Sequence, residues 1–142
     1  MAKVAVTKEI AAAQDAVWTT LADPRRFEEW LTLHTKWKEE PPAQLAVGTK
    51  MVEVLTIMGM ANTISFTLDS FDPPNSLSMS GTGMAGAKIT LTLSVAAVGA
   101  GSNVTIEAEF VSAMMVGAIA GAIERATGKE IEASLEKFAT LV

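Results

Sequence analysis

Lys88-Ile89-Thr90-Leu91-Thr92-Leu93-Ser94-Val95 alternates polar and apolar without a break, and Asn103-Val104-Thr105-Ile106-Glu107-Ala108-Glu109-Phe110 repeats the pattern after the turn Gly99-Ala100-Gly101. Successive side chains of a β-strand point to opposite faces, so each run has one dry face and one wet face. The same period holds outward from this pair. Ile64, Phe66 and Leu68 alternate with Thr63, Ser65, Thr67 and Asp69, and Leu77 and Met79 alternate with Ser76, Ser78 and Ser80. The intervening stretches, Asp72-Pro73-Pro74-Asn75 and Gly81 to Gly86, are turn chemistry. Four such runs predict an antiparallel sheet with a single dry face.

Two flanking segments extend the sheet. Val4, Val6 and Ile10 share one parity and read as a first strand. The stretch from Thr49 to Met58, opened by Gly48, has mixed parity: Met51, Leu55 and Ile57 fall on one side, Val52, Val54 and Met58 on the other. It reads as a strand with the first set inward, and Glu53 shares that inward parity.

Between the first strand and Gly48 the spacing is helical. Val17 and Leu21 lie four apart within Gln14 to Ala22. Asp23-Pro24 then restarts a helix, Asp as N-cap and Pro at the first helical position, which sets Phe27, Trp30 and Leu31 on one side. Pro41-Pro42 marks a loop, and His34 falls in the loop that follows the second helix. After Phe110 the period returns to 3.6. Ile131, Leu135, Phe138 and Val142 form one stripe, extended backwards by Ala120, Ile123 and Thr127, while Arg125, Lys129, Glu132 and Glu136 lie opposite. This predicts a final helix of roughly 25 residues, against an average of about 11 to 12.

The order is strand, two short helices, five strands, long helix: an α+β layout in one domain over residues 1–142. A sheet with one dry face needs a cover, and the last helix is the element long enough to give it. A curved sheet closing on a cylinder leaves a gap, which is the physical basis for an internal cavity. Apolar residues make up 49% of the chain and charged ones 19%, so there is more apolar side chain than a small surface hides cheaply. Eight methionines suit an adaptable interior.

Composition also excludes partners. A net charge of −5, with basic residues scattered, argues against a nucleic-acid backbone. The absence of cysteine excludes disulfides and thiolate metal ligands, and no His/Cys/Asp/Glu cluster has metal-ligand spacing. The beginning, Met1 to Val6, lacks the apolar run of a secretory signal. The longest apolar stretch, Val111 to Ile123, is interrupted by Ser112, Gly117 and Gly121 and is shorter than the roughly 20 residues that span a bilayer. The expectation is a cytoplasmic protein without membrane insertion. Gly81-Thr82-Gly83-Met84-Ala85-Gly86 lacks the Lys-Ser/Thr ending of a phosphate loop and joins two strands.

This element order resembles the START-like superfamily, also called SRPBCC, which includes birch-pollen-type allergens, lipid-transfer domains and aromatase/cyclases of polyketide synthesis. The likeness is carried most visibly by Ala16-Val17-Trp18, Leu21-Ala22-Asp23-Pro24 and Phe27-Glu28-Glu29-Trp30. It implies a helix-grip fold, a curved antiparallel sheet of about six strands wrapped around the long C-terminal helix. Glu29 to His34, Trp37, Gly48-Thr49, Gly59-Met60 with Asn62, the glycines 81, 83 and 86, and Glu132 to Phe138 are similar to an actinobacterial branch named as toxins of type II toxin–antitoxin pairs.

Candidate site residues follow from the chemistry. His34, the single histidine, is the first place to look for an acid or base near pH 7. No cysteine, tyrosine or second histidine completes a nucleophile–base pair, and no catalytic residue is assigned. Glu124 projects at 100° per residue onto the helix's apolar stripe. If Glu53 also points inward, two carboxylates share a dry cavity and one carries a raised pKa; strand twist or helix curvature carrying them to the rim is the alternative. Ile64, Phe66, Met79, Leu91 and Phe110 line the dry sheet face. Met115, Ile119 and Ile123, within the Met114–Ile123 segment with Gly117 and Gly121, suit a ligand gate, a homodimer contact or plain core. Trp30 and Trp37 flank His34, as cavity lining or as anchors of the helix pair.

Three functions stay open on these residues: a binder or carrier of a small hydrophobic ligand (lipid, polyketide-like or aromatic) without a cofactor, a toxin paired with an antitoxin protein, and a cyclase or dehydratase using Glu53, Glu124 or His34.

Overall fold

In a computed structural model, which describes residues 2–83, 86–113 and 117–142, the alternating runs pair into one antiparallel sheet. In chain order its strands are β1 (Ala2–Ile10), β2 (His34–Trp37), β3 (Lys50–Ile57), β4 (Met60–Asp72), β5 (Ser76–Thr82), β6 (Lys88–Val98) and β7 (Gly101–Val111). Their spatial order is β1-β7-β6-β5-β4-β3-β2, a chain of hairpins with the first strand added beside the last. The registers keep apolar opposite apolar: Ile89 faces Phe110, Leu91 Ala108, Leu93 Ile106 and Val95 Val104, while Val4 of β1 faces Ala108. All of these except the half-buried Val4 are buried, each large one stabilising by about 1.5–3 kcal/mol.

The sheet curls around α3 (Gly117–Ala139), and the helix-grip expectation holds. The helix turns Ala120, Thr127, Ile131, Ser134, Leu135 and Phe138 inward and leaves Arg125, Lys129, Glu132 and Glu136 exposed. It packs mainly against β1, where Gly128 lies over Val4: a Cβ there would sit 3.4 Å from Val4 Cγ2. The curl is helped by register shifts between Leu68 and Ser70 on β4 and between His34 and Lys36 on β2.

The helix pair, α1 (Gln14–Leu21) and α2 (Phe27–Trp30) with a 3₁₀ turn Pro24–Arg26 between, closes one end. Gln14 donates from Nε2 to the carbonyls of Pro74 (3.2 Å) and Val95 (3.0 Å), tying α1 to the β4–β5 turn and to β6. Asp23 Oδ1 accepts from the Arg25 amide at 3.1 Å, the N-cap expected from Asp23-Pro24.

Three expectations need correction. The strands number seven rather than about six, because His34 to Trp37 forms β2 and not a loop. Four residues with a bulge among them give no readable period. Gly81 and Thr82 belong to β5 rather than to a turn, Gly81 because the sheet is tight there: a Cβ would lie 2.3 Å from the Ser65 carbonyl oxygen.

A buried histidine–carboxylate pair as candidate functional site

β3 carries Met51, Glu53 and Leu55 on its inner face, the parity read from the sequence, so a carboxyl is delivered into an otherwise apolar wall. β2 is the edge strand beside it, pairing His34 with Leu55 and Lys36 with Val54 across the bulge. The bulge aims His34 at its neighbour: Nδ1 lies 2.7 Å from Glu53 Oε1, with side-chain exposures of 2% and 0%.

The rest of the surroundings hold this pair in place. The His34 ring packs edge-on against Phe27 (centroids 6.2 Å) and at a tilt against Trp37 (5.1 Å). Trp37 is fixed in turn by Nε1 donating to the Pro24 carbonyl at 2.9 Å. Trp30, fully buried, sits edge-on to Phe27 and to Phe138 of α3. The Thr32 amide donates to Ser134 Oγ at 2.9 Å, pinning the link between α2 and β2 to the terminal helix. Both tryptophans therefore anchor the helix pair.

Electrostatically the pair is poised rather than saturated. Burial pushes the Glu53 carboxyl above the usual carboxylate range, and the hydrogen bond and charge of His34 pull against that rise. Among the described residues Glu53 Oε2 has no hydrogen-bond partner, and neither do the buried Trp30 Nε1 and Thr127 Oγ1. A carboxyl bonded on one oxygen and unsupplied on the other can donate or accept one further hydrogen bond. On the outer side, His34 borders a surface cleft of about 330 Å³ shared with Arg25, Glu28, Trp37 and Pro41.

Other sequence candidates fall in different places. Ile64, Phe66, Met79, Leu91 and Phe110 are all buried on the inner sheet face. Ile123 is half-buried and Ile119 is 55% exposed at the start of α3, while Met115 lies outside the described residues. Glu124 takes the rim alternative: it is only partly buried and accepts from the Lys3 amide at 3.2 Å. Glu124 is thus tied to β1, which four strands separate from β3 in the sheet order. At the edge of the helix stripe, a small rotation carries Glu124 out to the β1 flank. Thr127 was on the stripe, but nothing in the sequence marks its hydroxyl as unsupplied. Among the described residues no group of three His, Cys, Asp or Glu could hold a metal ion, and no helix is long and apolar enough to cross a membrane.

Comparisons bear out the resemblance. Residues 1–142 match the family described as polyketide cyclase / dehydrase and lipid transport. Two Mycobacterium tuberculosis proteins are similar over 141 residues: Uncharacterized protein Rv1546, 31% identical with 99% of each chain covered, and Toxin Rv0910, 29% identical with 99% of this chain and 98% of the relative covered. Among solved structures, protein CV1439 from Chromobacterium violaceum superposes with a TM-score of 0.76 at 15% identity, covering 100% of this chain and 98% of that one, a likeness of fold.

Proposed function

The chain belongs to the polyketide cyclase / dehydrase and lipid transport family, and on that premise we propose that it binds a small hydrophobic ligand, lipid, polyketide-like or aromatic, in the interior between the sheet and α3. The observation that carries the reading is Glu53: a fully buried carboxyl on a wall of Met51, Leu55, Ile64 and Phe66, with one oxygen held by His34 and the other without a partner among the described residues. Leaving a buried polar group unsupplied costs about 1–3 kcal/mol, a cost that a bound molecule offsets. The test is native mass spectrometry of the purified protein beside solvent extraction and titration with apolar fluorophores. A bound compound, or saturable uptake of a fluorophore displaced by lipids or aromatics, supports the reading; a protein that yields no compound and takes up no probe removes it.

A second reading, the toxin of a toxin–antitoxin pair, is favoured by the 29% identical relative named as a toxin. Induced expression in an actinobacterial host tests it. Growth arrest relieved by a neighbouring small reading frame supports it, and unaffected growth removes it.

A further inference from the structure

The described chain supplies most of its buried polar groups itself. Of five buried polar side chains, Thr20 is met by Arg26 Nη1, Ser102 donates to the Ala12 carbonyl, and Ser134 donates to the Glu130 carbonyl. Glu53 Oε2 and Thr127 Oγ1 are left over, together with the indole N–H of Trp30. These three atoms belong to β3, α3 and α2, none to β4–β7 or β1. The inner face of the sheet thus carries its unsupplied polar atom on β3, with Trp30 on α2 supplying a second, while Thr127 sits on α3 next to Gly128, which packs on β1.

The interior is poorer still in positive charge. No lysine or arginine is buried among the described residues. The one cationic candidate inside, His34, already has its Nδ1 on Glu53 Oε1. A carboxylate guest brought to Oε2 would meet a second carboxyl and no free positive charge, and like charges in a dry site cannot both ionise without a large cost. A hydroxyl or carbonyl meets no such penalty. It can accept from Oε2 when that oxygen carries the proton, a hydroxyl can donate to it when it does not, and Trp30 Nε1 is a donor in either state.

We infer that Glu53 is the specificity-determining residue of the interior, selecting uncharged hydrophobic guests that bear a hydroxyl or carbonyl group and rejecting carboxylates such as fatty-acid anions. This rests on the interior-binding reading. The position of Glu53 on β3, beside the edge strand β2, makes it an end-on anchor, with the apolar body of the guest laid along Phe66, Met79 and Leu91.

Three probes of one shape separate the possibilities: 2-naphthol, naphthalene and 2-naphthoate, titrated at neutral pH by tryptophan fluorescence and calorimetry against the parent, Glu53→Gln and Glu53→Leu. The parent is expected to bind 2-naphthol about tenfold tighter than naphthalene, as one hydrogen bond gives, and at least tenfold tighter than 2-naphthoate. Glu53→Leu should bring naphthol and naphthalene to near equality. Glu53→Gln, the milder change, should keep the naphthol preference and reduce discrimination against naphthoate. Melting curves show that each variant is folded. If 2-naphthoate binds the parent as well as 2-naphthol does, or if neither variant changes the ratios, Glu53 is not the selector while interior binding stands. If the parent takes up none of the three, interior binding fails and this inference with it.

Discussion

The centre of the sheet and its β2–β3 flank follow different rules. On β6 and β7 the inward residues are apolar apart from Ser102 at the start of β7, every pairing is regular and the outward face is mostly Thr, Ser, Asn and Glu. On the flank the edge strand has four residues, its register slips between His34 and Lys36, and the inner face carries a carboxyl. Regular alternation is what folds the chain. Irregularity appears where the sheet bends, between Leu68 and Ser70, and where a side chain has to be aimed, between His34 and Lys36, and the stability supplied by the centre lets the flank carry a polar pair.

The contrast can be broken at its strong side first. Phe110→Ala, in the centre, should cost about 3–5 kcal/mol because a closely packed ring is lost and the cavity only partly collapses; urea unfolding measures it. A loss under 1 kcal/mol would mean that the centre is not what holds the sheet.

His34→Ala comes next, at about 3 kcal/mol, because Glu53 then has no partner on either oxygen. Unlike the Phe110 variant, this one should lose more stability at neutral than at acid pH, since an unpaired buried carboxyl resists ionisation. Equal losses at both pH values would count against an electrostatic role for the pair.

Glu53→Gln sharpens the same point. The folded-state pKa of Glu53 is raised, so the carboxyl's contribution to stability is fully present below its unfolded pKa of about 4.3 and is lost as pH rises through the folded value. Melting temperatures of parent and variant, followed from pH 4 upward, should therefore shift progressively in favour of the glutamine form. A constant offset would contradict the sign.

The smallest effect lies at the β3–β4 tip, where Met58 and Gly59 turn the hairpin with φ of 54° and 78°. Methionine tolerates the left-handed region poorly and asparagine tolerates it better. Met58→Asn should gain about 0.5 kcal/mol by thermal denaturation, with the flank pair undisturbed.

The same contrast explains what could be read from the residues. β6, β7, the inner stripe of α3 and the Asp23 cap were legible because each rests on a local period or a local hydrogen bond. The inward direction of Glu53 was legible through Met51 and Leu55, despite the mixed parity of its strand. The partnership of His34 with Glu53 was not, because it depends on a bulged register between residues 19 apart. For Glu124 two readings stayed open, because a helical projection does not say which flank of the stripe meets β1. The unsupplied atoms of Trp30 and Thr127 are facts about neighbours, and no spacing encodes neighbours.

The placement of β1 beside β7 has a consequence for how the chain is made. Ala2 pairs with Phe110, so β1 finds its partner only after about a hundred more residues have left the ribosome; at 5–20 residues per second that is a wait on the order of 5–20 s. The closing of the sheet by so distant a pairing places this protein among slowly folding topologies. During synthesis the N-terminal strand travels as an unpaired edge, and truncation of the nascent chain before β7 should leave it open to proteases and holding chaperones.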